Sequence, residues 1–128
     1  MEIIENEKSI EIIDVFDLVK NPDQIEWQEV GKGRSRYMLY NDTEKSGASA
    51  MLLKLDAGAQ SPKHLHTGYE HLLVLSGKIT TTWGAGSEVS VNHKGDFIVA
   101  KPETIHIVSM NEDSIILLIF EKPSDLNV

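Results

Sequence analysis

With 128 residues and a net charge of −8 from 20 acidic and 12 basic side chains, the chain is long enough for one domain with its own hydrophobic core and too short for two. The acidic balance opposes binding to a phosphate backbone, so nucleic acid is not an expected partner, and the absence of cysteine excludes disulfides, thiolate metal ligands and cysteine nucleophiles together. The longest uninterrupted apolar run, Ile115 to Phe120, falls far short of the roughly 20 residues a membrane helix needs; the opening MEIIENEKSIEII is acidic where a secretory leader is basic and then apolar, so cytoplasmic residence without a membrane partner is the expectation.

Residues 1–26 read as an N-terminal extension: weak alternation through Ile10 and Ile12 suggests an edge strand, followed by one helical turn in VFDLVK that Asn21-Pro22 ends. The segment Ser9 to Val15 either covers its own domain or crosses onto a partner subunit. From Ile25 to Tyr40 the glycines Gly31 and Gly33 divide a short strand from a second one, Arg36 to Tyr40. Gly31-Lys32-Gly33 is not a phosphate loop, because neither a G-K-[ST] continuation nor a helix signal follows it.

After the polar loop NDTEKSGAS, Ala48 to Asp56 is the next strand, with Lys54 on its solvent side and Met51, Leu53 and Leu55 inward. In Gly77 to Trp83 the parity turns Lys78, Thr80 and Thr82 outward and Ile79, Thr81 and Trp83 inward. Ser87 to Val91 is a short strand, Asn92-His93-Lys94-Gly95 a turn by composition, and Phe97 to Ala100, Ile105 to Met110 and Ser114 to Glu121 complete the series before a tail at 124–128. Nine or ten short strands without a long amphipathic helix predict an all-β antiparallel sandwich or barrel. No internal repeat is present, so the domain is not duplicated.

The chemistry concentrates in GAQSPKHLHTGYEHLLVLSG, Gly58 to Gly77. His64, His66 and Glu70 fall at even spacings in a segment that reads as extended, so all three project to one side provided Thr67-Gly68 preserves the parity. Two imidazoles and a carboxylate on one point are divalent-metal ligands, and the fourth candidate is His106 in KPETIHIVSM, on a strand re-entered after Pro102. Three imidazoles and a carboxylate inside an apolar barrel are costly to bury without a compensating cation.

These residues resemble the cupin superfamily. Gly58, His64, His66, Glu70 and Gly77 match every fixed position of its first motif. Its second, G-x5-P-x-G-x2-H-x3-N, is met more loosely by Gly95, Pro102, His106 and Asn111: counted from Pro102, Thr104 stands at the motif glycine, and one residue fewer precedes the histidine. The run HLHTGYEHLLVLSG and the ending IILLIFEKP are similar to the cupin domain of ChrR-type anti-sigma factors, over roughly residues 27–123.

The resemblance implies a single-domain, RmlC-like cupin jelly-roll β-barrel and a homodimer. Its metal is expected on His64, His66, Glu70 and His106, Fe2+ by preference, with Zn2+, Mn2+ or Ni2+ as alternatives. The implied function is a mononuclear non-haem dioxygenase acting on a small organic substrate, with Glu70 as a candidate base; the alternative is a sensory module that binds a small-molecule ligand without catalysis. Met51, Leu53, Trp83 and Val108, with Met38 or Tyr40, either line the substrate pocket or fill the core. His71 and Tyr69 have the opposite parity and belong to packing or an interface. His93, Lys63 and Lys101 are expected at the surface, and no arginine stands in the motif strands to grip an anion.

Overall fold

The structure is a computed structural model that describes residues 10–84 and 88–124. Asp14 caps the helix α1 (Val15–Lys20) by accepting the Asp17 N–H, and a 3-10 turn (Pro22–Gln24) follows. Ten strands come next: β1 (Gln28–Gly31), β2 (Arg34–Asp42), β3 (Ala48–Leu55), β4 (His64–Leu65), β5 (Glu70–Ser76), β6 (Lys78–Trp83), β7 (Glu88–His93), β8 (Phe97–Ala100), β9 (Ile105–Met110) and β10 (Ser114–Phe120). They form a six-stranded sheet, β1-β2-β3-β10-β5-β8, and a four-stranded sheet, β4-β9-β6-β7, with every pairing antiparallel. This is the expected all-β jelly roll, built as two facing sheets rather than one hydrogen-bonded, closed barrel.

The core lies between the sheets, where Leu55, Leu72, Val74, Ile79, Val108, Met110, Ile116 and Leu118 are buried together. Sequential strands repeatedly change sheet, and this positions the site. β4 belongs to the small sheet and β5 to the large one, so the chain crosses between His66 and Glu70 through a bend at Thr67-Gly68. It crosses back at Gly77, whose φ of +84 makes the corner from β5 to β6. A Cβ at Gly77 would collide with the Ser114 hydroxyl and the Asp113 carbonyl. The single extended run expected from His64 to Glu70 is therefore corrected: both facing sheets contribute to it.

Several local expectations change for identifiable reasons. Residues 10–14 form no strand, and the rest of the segment Ser9 to Val15 considered for crossing a subunit boundary lies partly outside the described residues. Instead, Val15, Leu18 and Val19 of α1, with Ile25 and Trp27, cover the outer face of the large sheet over Leu52, Leu75 and Ile115. β3 is thus apolar on both faces: Leu52 is fully buried beneath this cover while Leu55 faces the main core. Lys54 is half-buried rather than solvent-facing, its ammonium 5.9 Å from the centre of the Trp27 ring. Asn92 and His93 continue β7 opposite Ile79 and Lys78, and the turn begins only at Lys94, where the Asp96 carboxylate accepts the His93 N–H.

The turn before β9 resolves the loose second motif. Glu103 has a φ of 71, the left-handed region that glycine prefers, and it is the residue three before His106. Counting from the histidine, Glu103 and not Thr104 occupies the glycine position of G-x2-H. The required backbone conformation is retained without the glycine.

Gly77 and Glu103 consequently give opposite expected outcomes in chemical denaturation. Gly77→Ala loses upwards of about 2 kcal/mol through strain and overlap. Glu103→Gly gains up to about 1 kcal/mol by relieving a left-handed L-residue. Stabilisation of the first or a large loss in the second contradicts the assigned backbone.

Candidate metal centre

His64 opens β4 and His106 is its direct partner on β9, while Trp83 of β6 flanks His106 on the other side. Inward parity on the small sheet thus brings His64 and His106 side by side, and His66 follows one residue beyond β4. Glu70 arrives from the opposite sheet as the first residue of β5. All four are buried, and one donor atom from each lies within 4.8 Å of the other three.

The imidazoles are held edge to face, with ring centres 5.0 Å apart for His64 and His66 and 4.3 Å for each of their contacts with His106. His64 Nδ1–H donates to the Pro62 carbonyl at 2.8 Å, and His66 Nδ1–H donates to the Thr104 carbonyl at 2.7 Å. These bonds leave both Nε2 atoms directed at the centre, where a neutral ring offers a lone pair to a metal ion and a charged ring offers a proton to Glu70. Glu70 Oε2 meets His66 Nε2 directly and lies 3.8 Å from His64 Nε2 and 3.6 Å from His106 Nε2. Pro62 thus serves as a carbonyl acceptor as well as a turn residue, a role that the sequence pattern does not display.

The electrostatics follow from this enclosure. Burial opposes ionisation of Glu70, yet the polar contacts of His64 and His66 and the charges of His106 and His66 draw its carboxyl down to about 2. Burial dominates at His106 and, despite the attraction of Glu70, lowers it to about 3, with repulsion from His64 and His66 in the same direction. Burial also disfavours charge on His64, but the hydrogen bond and charge of Glu70 and the Pro62 carbonyl outweigh it and raise the group above its ordinary value.

Both ring nitrogens of His106 are buried without a hydrogen-bond partner. A divalent cation between the four residues gives His106 Nε2 a partner and compensates the buried carboxylate, so the donor set fits a metal with nitrogen and oxygen ligands. His64, His66, Glu70 and His106 form the group able to hold it.

The remaining singled-out residues are dispersed. His71 is on the outer face of the large sheet, stacked with Tyr69 at 6.3 Å and with Phe97 at 5.7 Å. His93, Lys63 and Lys101 are exposed. Val108 belongs to the buried core and Leu53 packs against it. Trp83 lies 4.9 Å from the His106 ring and donates its indole N–H to Ser90. Met51, together with Met38, lines a cavity of about 300 Å3, whereas Tyr40 is exposed at the surface. That cavity also contains Arg36, which lies outside the motif strands; its signal is the alternation of Arg36 and Met38 on β2.

Over residues 16–125 the chain matches the family described as the ChrR cupin-like domain. No curated protein matches the sequence significantly. Among solved structures it is similar to an RmlC-like cupin from Shewanella frigidimarina NCIMB 400, with a TM-score of 0.65, 24% identity, and coverage of 82% of this chain and 87% of that one. It is similar to a chain in the crystal structure of Rhodobacter sphaeroides SigE in complex with the anti-sigma ChrR, with a TM-score of 0.67, 26% identity, and coverage of 80% of this chain and 53% of that one. An acetylacetone dioxygenase from Acinetobacter johnsonii aligns over 98% of this chain and 83% of its own, with a TM-score of 0.74 and 14% identity, a likeness of fold alone. The profile match spans most of the sequence, including all four candidate ligands, and the chain therefore belongs to the ChrR cupin-like family of cupins.

Proposed function

We propose that the protein is a mononuclear metal-dependent oxygenase of the cytoplasm, acting on a small organic substrate with iron(II) as the preferred ion. The observation that carries this reading is the convergence of three Nε2 atoms and one carboxylate oxygen at a buried point between the sheets, with two histidine orientations fixed by backbone carbonyls. When bound, a divalent ion supplies Lewis acidity and, as iron(II), redox access to dioxygen. The four side chains would hold and orient that ion, and Glu70 is the candidate base for a substrate proton. The fold shared with an acetylacetone dioxygenase supports the reading.

A second reading is favoured by the family match and by the likeness to the chain crystallised with SigE. In it, the same four ligands hold zinc in a sensory module that acts through a separate partner. Metal analysis of untagged protein followed by oxygen-uptake assays with diketones, thiols and catechols separates the two. Iron with turnover supports the oxygenase; tightly held zinc without uptake overturns it in favour of the sensor. His64→Ala or His106→Ala removes metal retention in either case, whereas His71→Ala leaves it intact; equal loss from His71→Ala rules out the ligand set.

Uptake of the ion is coupled to protons. In the metal-free protein, the contribution of protonated His64 paired with Glu70 is present below the unfolded imidazole value of about 6.5 and is lost as pH rises through the higher folded value. Coordination requires the neutral ring. Zinc binding at about pH 6.5 therefore displaces more than about half a proton, and affinity rises with pH. Calorimetry in buffers of different ionisation enthalpy reads that number, and a value near zero contradicts the assignment.

We also propose a homodimer. Tyr69, Phe97 and Val99 are exposed together with half-buried His71 on the uncovered part of the large sheet, while Ile10, Ile12 and Phe16 are exposed in the N-terminal segment. Two copies that exchange these surfaces cover both. Light scattering reads a dimer mass that Phe97→Glu shifts toward monomer; a monomeric parent protein refutes the pairing.

A further inference from the structure

The cavity beside Met51 has a definite place in the sheet. Register sets Met38 opposite Met51 and Arg36 opposite Leu53, so β2 presents Arg36 and Met38 on the inner face. Ser49 pairs with Phe120, and Phe120 pairs with Glu70. Two strand spacings of about 5 Å each therefore separate Ser49 from the metal-ligand carboxylate along one row of the sheet. Arg36, Met38, Asn41, Ser49, Met51 and Phe120 line the cavity, which Thr43, Pro123 and Ser124 complete.

Among the described residues, the Arg36 guanidinium is the only charged group in that lining. Its Nε–H donates to the neutral Gln28 Oε1 at 2.9 Å, and no carboxylate pairs with it among the described residues. In a chain of net charge −8, an apolar hollow that presents a cation without a protein counter-ion is selective by sign. A guanidinium with a free edge presents two parallel N–H donors, the geometry that matches a carboxylate.

We propose that this cavity is a carboxylate subsite. It takes a small organic anion whose apolar body lies against Met38, Met51 and Phe120 and whose carboxylate is held by Arg36. The inference names the substrate class of the site proposed above and rests on that reading only for the fate of the bound ligand. Thr67 Oγ1 donates to the Pro123 carbonyl at 2.5 Å, and the Glu121 N–H donates to the Tyr69 carbonyl at 3.0 Å. Residues 121–124, the strap that follows β10 and walls the cavity with Pro123 and Ser124, are thus bonded to the bend between His66 and Glu70.

The test titrates phenylacetate and the neutral isostere phenylacetamide, by calorimetry and amide chemical shifts, into the metal-loaded full chain and into metal-poor His106→Ala. Phenylacetate is expected to bind both proteins, at least about tenfold tighter than the amide, with shifts at Ser49, Met51 and Phe120. Arg36→Gln, checked for an unchanged unfolding midpoint, brings the acid down to the affinity of the amide, and Arg36→Lys restores part of the difference. Equal affinities for acid and amide, indifference to Arg36→Gln, or binding weaker than about 10 mM overturns the subsite. Binding confined to metal-loaded protein also overturns it, by placing the carboxylate on the ion. A protein that retains no metal but still binds phenylacetate through Arg36 keeps the subsite and removes the oxygenase reading.

Discussion

One buried carboxylate constrains the rest of this molecule. Glu70 is enclosed between two sheets, where an isolated negative charge is several kcal/mol out of place, and the chain answers with three imidazoles directed at the same oxygen. The arrangement requires both sheets at a fixed separation, because Glu70 comes from β5 while His64 and His106 are neighbours on β4 and β9. The apolar core between the sheets sets that separation, and the glycine corner at Gly77 returns the chain to the small sheet. Packing, backbone geometry and site chemistry are therefore one problem with one solution. Without a cation, His106 retains two nitrogens that satisfy nothing.

The four candidate ligands were legible in the amino-acid order because metal chemistry narrows the choice to histidine and acid once cysteine is absent. The strand count followed from short apolar runs divided by glycine and proline. The route between ligands was not legible. Even spacing from His64 to Glu70 suggested one strand, but residue parity carries no information about whether the chain stays in one sheet or crosses to another. The same limit hid Arg36: its alternation with Met38 indicates a shared face, and only the pairing with β3 shows that the face is the inner one. Lys54 faces less solvent than its parity suggests because an alternating strand gives no sign of a helix covering its second face; the helical turn in VFDLVK was legible, but the surface it covers was not. Glu103 shows a further limit, since a left-handed residue that is not glycine leaves no mark in composition.

The fold carries less functional information than the site. Structures that share this architecture include a dioxygenase and a chain crystallised with a sigma factor, so the scaffold accommodates both chemistry and regulation. The features of this chain that bear on function are local: the four candidate ligands, the hollow whose guanidinium meets no carboxylate among the described residues, and residues 121–124, which touch both regions. The strap gives the two regions a shared mechanical element, because the residues that close the hollow also anchor the bend through which Glu70 is delivered.

The tautomers of His64 and His66 have a longer-range consequence. Their acceptors are the main-chain carbonyls of Pro62 and Thr104, so no side chain has to be conserved to keep the two rings pointing correctly. Amino acids around the centre are free to drift, altering which ion is favoured or which molecule is admitted, while the donors stay aimed. Loop length is the vulnerable quantity instead: one residue gained or lost between Lys101 and Ile105 displaces an acceptor and a ligand together, a greater injury than exchanging any neighbouring side chain. Such a centre tolerates variation in chemical identity and is intolerant of change in the path of the backbone.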